Sequence, residues 1–144
     1  LYDYVQYLDD DRLEEWPDFF LNDAQYKIMP RENLERGLPL PLWYCDNRKM
    51  LHDRVQALRT SQVYNLHYDR HILSNVRVLE EANGVHLVHA NWALFQTDIE
   101  GTTRLFCTGI YIDQIVFLRD TPKFKEKLVV LDTYSVPNLL ATPI

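Results

Sequence analysis

Thr103-Arg104-Leu105-Phe106-Cys107-Thr108-Gly109-Ile110-Tyr111-Ile112-Asp113-Gln114-Ile115-Val116-Phe117-Leu118-Arg119 is the stretch on which the fold turns. It is rich in β-branched and aromatic residues, and it is a strand by composition. One face carries Leu105, Cys107, Tyr111, Ile115 and Phe117, and the other carries Phe106, Ile110, Ile112, Val116 and Leu118. An antiparallel sheet with one wet face alternates apolar with polar, and this stretch does not. Helices must therefore cover one side. The other side is covered either by the sheet curling on itself or by a partner chain. A partner is the better half of that choice, because 144 residues leave few elements for a third layer.

The neighbouring segments extend the sheet. Ile72–Leu79 and Val85–Thr97 read as strands joined by Asn83-Gly84, a strong two-residue hairpin signal, and Glu100-Gly101 marks a second reversal. Lys127–Val136 reads as a fourth strand. The first part of the chain is different. Tyr4, Val5 and Leu8 recur at helical spacing, and so do Leu13, Trp16, Phe19 and Phe20 after the acidic break at 9–11. Asp11 is the expected N-cap of that second helix, with Glu14 as its reciprocal partner, and Pro17 ends or bends it. A short strand is expected around Tyr26–Met29. From Pro30 to Asp46, four Pro and Gly residues preclude a long regular element, although Leu38, Leu40, Leu42, Trp43 and Tyr44 make the segment oddly apolar for a loop. Asn47 then caps an amphipathic helix with Met50, Leu51, Val55 and Leu58 on its apolar stripe. Helices first and a long antiparallel sheet afterwards is an α+β layout, with residues 1–144 forming a single domain.

Bulk properties narrow the function. A net charge of −6 and a pI near 5.3 disfavour nucleic acid or an anionic membrane surface as partner. No apolar run is long enough to span a bilayer, and no secretory leader is legible, although the chain opens at Leu1 rather than Met. Cys45 and Cys107 are isolated thiols, which fits a reducing, cytoplasmic setting. With only four glycines the chain lacks a phosphate cradle, a dinucleotide fingerprint and a Gly-x-Ser-x-Gly elbow.

Metal and redox chemistry find little footing. His67 and His71 stand four apart before a strand without a nearby third ligand, and His86 and His89 point to opposite faces of theirs. Neither cysteine has a histidine two residues on, as a Rieske cluster would require, and no compact His/Asp set suggests a mononuclear iron site. One acid–base set survives: Asp132 as base among Val129, Val130, Leu131 and Tyr134, completed by Tyr26, His71 and Asp23 inside an apolar pocket. Against it stands the reading in which Asp132 and Asp113 face solvent or pair with Arg or Lys. Arg70 and His71 open an apolar strand either as an inter-subunit anchor or as an intrachain ion pair with an N-terminal acid. Leu38, Leu40, Trp43 and Tyr44 are candidates for a subunit interface, since an undocked loop of that composition invites aggregation. The apolar tail Val136–Ile144 invites the same reading.

Asp10-Asp11-Arg12, Glu15-Trp16-Pro17-Asp18-Phe19-Phe20, Tyr26 and Met29-Pro30-Arg31-Glu32-Asn33, followed at a familiar distance by Arg70-His71-Ile72-Leu73-Ser74-Asn75-Val76, resemble the small (β) subunit of the multicomponent aromatic-ring-hydroxylating dioxygenases. The resemblance runs over nearly the whole chain. It implies a cone like those of nuclear transport factor two and ketosteroid isomerase: a strongly curved antiparallel sheet with helices in its concavity. It implies a non-catalytic, structural role beside a large α subunit that carries the Rieske [2Fe-2S] cluster and the mononuclear non-heme iron. An α3β3 assembly fed with electrons by a ferredoxin or reductase through the α subunit is part of that expectation. Arg31-Glu32-Asn33, Glu35 and Gly37-Leu38-Pro39-Leu40 look most like the small subunits of salicylate, anthranilate and terephthalate oxygenases, so an aromatic carboxylate is the expected substrate class. The rival reading is a free-standing isomerase, dehydratase or small-molecule binder of the same fold.

Overall fold

In a computed structural model that describes residues 1–60, 66–133 and 140–144, the chain forms helices α1 (Tyr2–Asp9), α2 (Arg31–Glu35) and α3 (Arg48–Thr60). Its strands are β1 (Phe20–Pro30), β2 (Trp43–Cys45), β3 (His67–Ala82), β4 (Val85–Asp98), β5 (Thr103–Leu118) and β6 (Thr121–Leu131). They make one curved α+β sheet in the order β2-β1-β6-β5-β4-β3, so β2 and β3 are its opposite edges.

The C-terminal meander follows from its turns. Asn83 (φ 53°) and Gly84 (φ 74°) both adopt the left-handed conformation that a tight hairpin demands, and they close β3 onto β4. At the next reversal Gly101 has φ 90°, and the Asp98 carboxylate accepts hydrogen bonds from the backbone N–H of Glu100 and Thr102. Antiparallel registers then run without a crossover from β3 through β6.

The N-terminal half departs from expectation. The strand expected at Tyr26–Met29 is longer, and it pairs in parallel with β6 while β2 pairs antiparallel on its other side, so the sheet is mixed. The second helix does not form. Asp11 takes a left-handed φ of 56°, only the 3₁₀ turn Trp16–Phe19 survives, and the sheet begins at Phe20. The Asp11 and Glu14 carboxylates accept hydrogen bonds from the Arg59 guanidinium instead of capping a helix. Pro17 explains the outcome: it has no N–H to donate to Leu13, so an α-helix cannot run through it, whereas the first turn of a 3₁₀ element accepts it. The Pro30–Asp46 segment holds no long element, as expected, only the short α2 and β2. Asn47 behaves as expected: its Oδ1 accepts from the Met50 N–H at 3.0 Å. The end of the expected strand Lys127–Val136, and the start of the apolar tail, lie outside the described residues.

Helical residues and inward strand residues meet in one core. Tyr4, Leu8, Trp16, Phe20, Tyr26, Leu51, Leu94 and Tyr111 are all buried there. Gly109 leaves no room for a side chain. A Cβ at that position would fall inside the Val130 carbonyl oxygen on the adjacent strand and 2.8 Å from the Trp92 ring.

Candidate functional site

The concave side of the sheet is where a catalytic pocket would have to lie, and its centre is occupied by protein. Tyr26 on β1 and Tyr4 on α1 both donate their hydroxyl hydrogen bonds to the Ile144 carbonyl oxygen, at 3.1 and 2.9 Å. The Ile144 N–H in turn donates to the Tyr26 oxygen at 3.0 Å. Ile144 is wholly buried. The described part of the tail therefore docks onto its own core.

Beside this plug Asp113 takes the second of its two expected fates, pairing with a lysine, but does so in the core. Asp113 and Lys127 face each other across β5 and β6 with neither side chain exposed, and Lys127 Nζ donates to Asp113 Oδ2 at 3.0 Å. The ammonium sits 3.4 Å from the Tyr111 ring centre, 4.3 Å from that of Tyr4 and 4.7 Å from that of Phe124. Burial pushes the Asp113 carboxyl up to about 6 and the Lys127 ammonium down to about 8, each opposed by the attraction of the other. Burial likewise raises Tyr4, Tyr26 and Tyr111. The pair is enclosed by aromatic rings.

The proposed acid–base set does not assemble. Asp132 is 40% exposed, receives hydrogen bonds from Arg31 and from the Thr108 hydroxyl, and so pairs as the competing reading had it. Asp23 is exposed on β1. Tyr26 is committed to Ile144. His71 is buried on β3, and its Nδ1 lies 2.6 Å from Asp9 Oδ1. Asp9, at the end of α1, also accepts the His71 backbone N–H and lies 3.8 Å from Arg70. Arg70 and His71 both meet Asp9 within the chain, and this contact fastens α1 to the edge strand. Its signal was the acidic run 9–11 on a helix otherwise facing the core.

Cys45 and Cys107 are free, buried thiols, and burial pushes Cys107 up to about 12. Among the described residues, no three His, Cys, Asp or Glu side chains converge in the manner of a metal site.

What the fold leaves outside is apolar. Trp43 turns into the core at 8% exposed, but Leu38, Leu40, Leu42 and Tyr44 remain on the surface beside β2. At the opposite edge, Tyr68, Ile72, Val78 and Leu79 of β3 are exposed, as are Leu105, Phe117 and Leu118 of β5. Ile110, Ile112 and Val116, on the convex face of β5, are half-buried. Both faces of β5 are apolar as read, and the helices cover only one. Uncovered surface of this extent marks a protein that associates.

A model of the ring hydroxylating beta subunit family matches residues 4–138. The chain is 39% identical over 141 residues to the anthranilate 1,2-dioxygenase small subunit of Burkholderia cepacia, covering 98% of this chain and 88% of that one. It superposes with a TM-score of 0.89 and 37% identity on the β subunit of a candidate aromatic-ring-hydroxylating dioxygenase of Novosphingobium aromaticivorans, covering 99% and 90% of the two chains. With the β subunit of the benzoate 1,2-dioxygenase of Burkholderia mallei the TM-score is 0.75 at 28% identity, over 91% and 85%.

Proposed function

From the premise that this chain belongs to the ring-hydroxylating β-subunit family, we propose that it is the non-catalytic, structural β subunit of the terminal oxygenase of an aromatic-ring-hydroxylating system. The observation that carries this reading is a division of labour in the fold. Tyr4, Tyr26, Ile144 and the enclosed Asp113–Lys127 pair bond to one another at the centre of the core, so none of these polar groups is left free to act on a substrate. Meanwhile both edges of the sheet expose large apolar side chains. The molecule spends its core on rigidity and its surface on association.

In this reading the Rieske cluster and the mononuclear iron reside in a large α subunit, which receives electrons from a ferredoxin or reductase. The assembly is cytoplasmic and contains three copies of each subunit. Among the described residues, no helix is long and apolar enough to cross a membrane. An aromatic carboxylate is the substrate class, supported by the 39% identity to a small subunit named for anthranilate. Exposure supports part of the set of interface candidates. Leu38, Leu40 and Tyr44 are available to a partner, Arg70 offers an exposed guanidinium, and Trp43 and His71 support those positions from within.

Co-expression with the large subunit followed by mass determination tests the proposal. A stable complex of equal stoichiometry, brown from its iron–sulfur cluster, is the expected result. A chain that purifies alone and colourless from that co-expression would overturn it.

A further inference from the structure

A cleft of about 320 Å³ lies at the margin of the core, between α1, the 3₁₀ turn Trp16–Phe19 and the start of β6. It is large enough for a ligand of one ring with a short substituent. Four aromatic rings wall it: Tyr4, Tyr7, Phe19 and Phe124. They stand edge to face. Phe19 is 5.9 Å and 78° from Tyr4 and 5.0 Å and 85° from Tyr7, while Phe124 is 5.2 Å and 77° from Tyr4. Rings set near right angles around one space offer π faces from several directions, which is how an aromatic cage holds an organic cation.

Charge points the same way. The charged side chains on the lining are three carboxylates, Asp3, Glu15 and Asp18, and one ammonium, Lys123. Glu15 is taken by Arg12 at 2.7 Å, and Lys123 donates to the Asp18 carbonyl oxygen. Among the described residues, the Asp3 and Asp18 carboxylates have no hydrogen-bonded or ion-paired partner. The rings also already accept cations from outside the cleft. The Arg12 guanidinium lies 3.7 Å from the Tyr7 ring centre, and Lys127 packs behind Tyr4 and Phe124 with its own charge matched by Asp113.

We propose that this cleft binds a small organic ammonium carrying one aromatic ring, caged by Tyr4, Tyr7 and Phe19 and attracted by Asp3 and Asp18. The same two carboxylates repel an aromatic carboxylate, the substrate class proposed for the oxygenase, so the cleft is not a second copy of the substrate site. Because its walls come from α1 and β6, a ligand seated there ties the two together and raises the melting temperature of the chain. The site does not depend on the β-subunit reading.

Calorimetric titration of the purified chain with benzyltrimethylammonium, benzyl alcohol and benzoate tests this. The cation should bind with a Kd of about 1 mM or tighter, at least about tenfold tighter than either other probe, and more weakly as salt is added. Phe19→Leu keeps an apolar wall but removes a ring. The double variant Asp3→Asn/Asp18→Asn removes both free carboxylates at exposed positions, so it should fold as the parent does even if Phe19→Leu does not. Each should weaken the cation by about three- to tenfold. No binding of the cation, equal binding of the three probes, or an unchanged affinity in the carboxylate variant would each overturn the inference. So would a chain that binds the cation alone but not in its complex with the large subunit, the cleft then being a socket for a cationic side chain of that subunit. None of these outcomes touches the β-subunit reading, which stands or falls on the brown complex.

Discussion

Lys127 Nζ lies 3.0 Å from Asp113 Oδ2, with both side chains fully enclosed and directly opposite each other on β6 and β5. Two charges so deep in an aromatic core are each tolerable only in the presence of the other, since the loss of water's solvation is repaid only by their mutual attraction and hydrogen bonds.

Removing one partner should therefore be costly. Asp113→Asn or Lys127→Met alone is expected to destabilise the chain by about 3–5 kcal/mol, whereas the double variant Asp113→Leu/Lys127→Met is expected to fall near the parent or above it. Urea unfolding of the four proteins measures this. Single variants within about 1 kcal/mol of the parent would show that the pair is not energetically coupled.

The same pair sets a pH dependence. Asp113 has its folded pKa raised to about 6, so its stabilising contribution is complete below the ordinary carboxylate range and is lost as pH rises through about 6. Lys127 has its folded pKa lowered to about 8, so its contribution is complete above the ordinary lysine range and is lost as pH falls through about 8. Compared with the double variant, the parent should be at its relative weakest between those two values and recover on either side. Paired unfolding curves at about pH 5, 7 and 9 test the sign. A difference that peaks in the parent's favour at neutrality would refute it.

Gly109→Ala is expected to cost more than about 3 kcal/mol, because the added carbon meets backbone at Val130 and the Trp92 ring rather than a side chain that can swing away. A thermal melt reads the loss directly. An unchanged melting temperature would mean that β5 and β6 can separate at this point without penalty.

Asp9→Ala and Arg70→Ala should differ although the two residues touch. Asp9 accepts from both the backbone N–H and the buried imidazole of His71, so its loss leaves buried donors unpaired and should cost about 2–4 kcal/mol. Arg70 is 62% exposed and 3.8 Å from its partner, so its loss should cost less than about 1 kcal/mol. If Arg70→Ala nonetheless dissociates the complex with the large subunit, its guanidinium acts across the interface and not within the chain.

Asp132→Asn probes the rejected catalytic role. It removes a half-exposed ion pair with Arg31, so stability should change by less than about 1 kcal/mol and oxygenase turnover of the assembled complex should persist. A loss of turnover without a loss of assembly would return Asp132 to the chemistry.

The strands of the second half were legible because each carried a local signal: Asn83-Gly84 for the turn, and alternation or two-faced apolarity for the partners on either side. The first half was harder to read. Trp16, Phe19 and Phe20 fit a helical stripe, yet Pro17 broke it and Phe20 joined a sheet whose neighbouring strand lies about a hundred residues away, information that no local window holds. That Asp113 pairs with a lysine was among the readings, but its complete burial was not, because nothing nearby in sequence shows Lys127 opposite it. The available clue was parity: Asp113 shares an inward face with Tyr111. Asp132 follows the reading in which it faces solvent and pairs with an arginine, although its apolar neighbours suggested a pocket. Its apolar neighbours are buried, but it sits just past the end of β6, where the chain leaves the core.

The parallel pairing of β1 with β6 has a consequence for how the molecule comes into being. Residues 20–30 are synthesised early, and on that side their only sheet neighbour is residues 121–131. Until those later residues leave the ribosome, an apolar strand stands without its mate, so the sheet cannot close progressively as the nascent chain emerges. A premature stop anywhere before β6 leaves β1 without its parallel partner and the product with an open seam through its sheet.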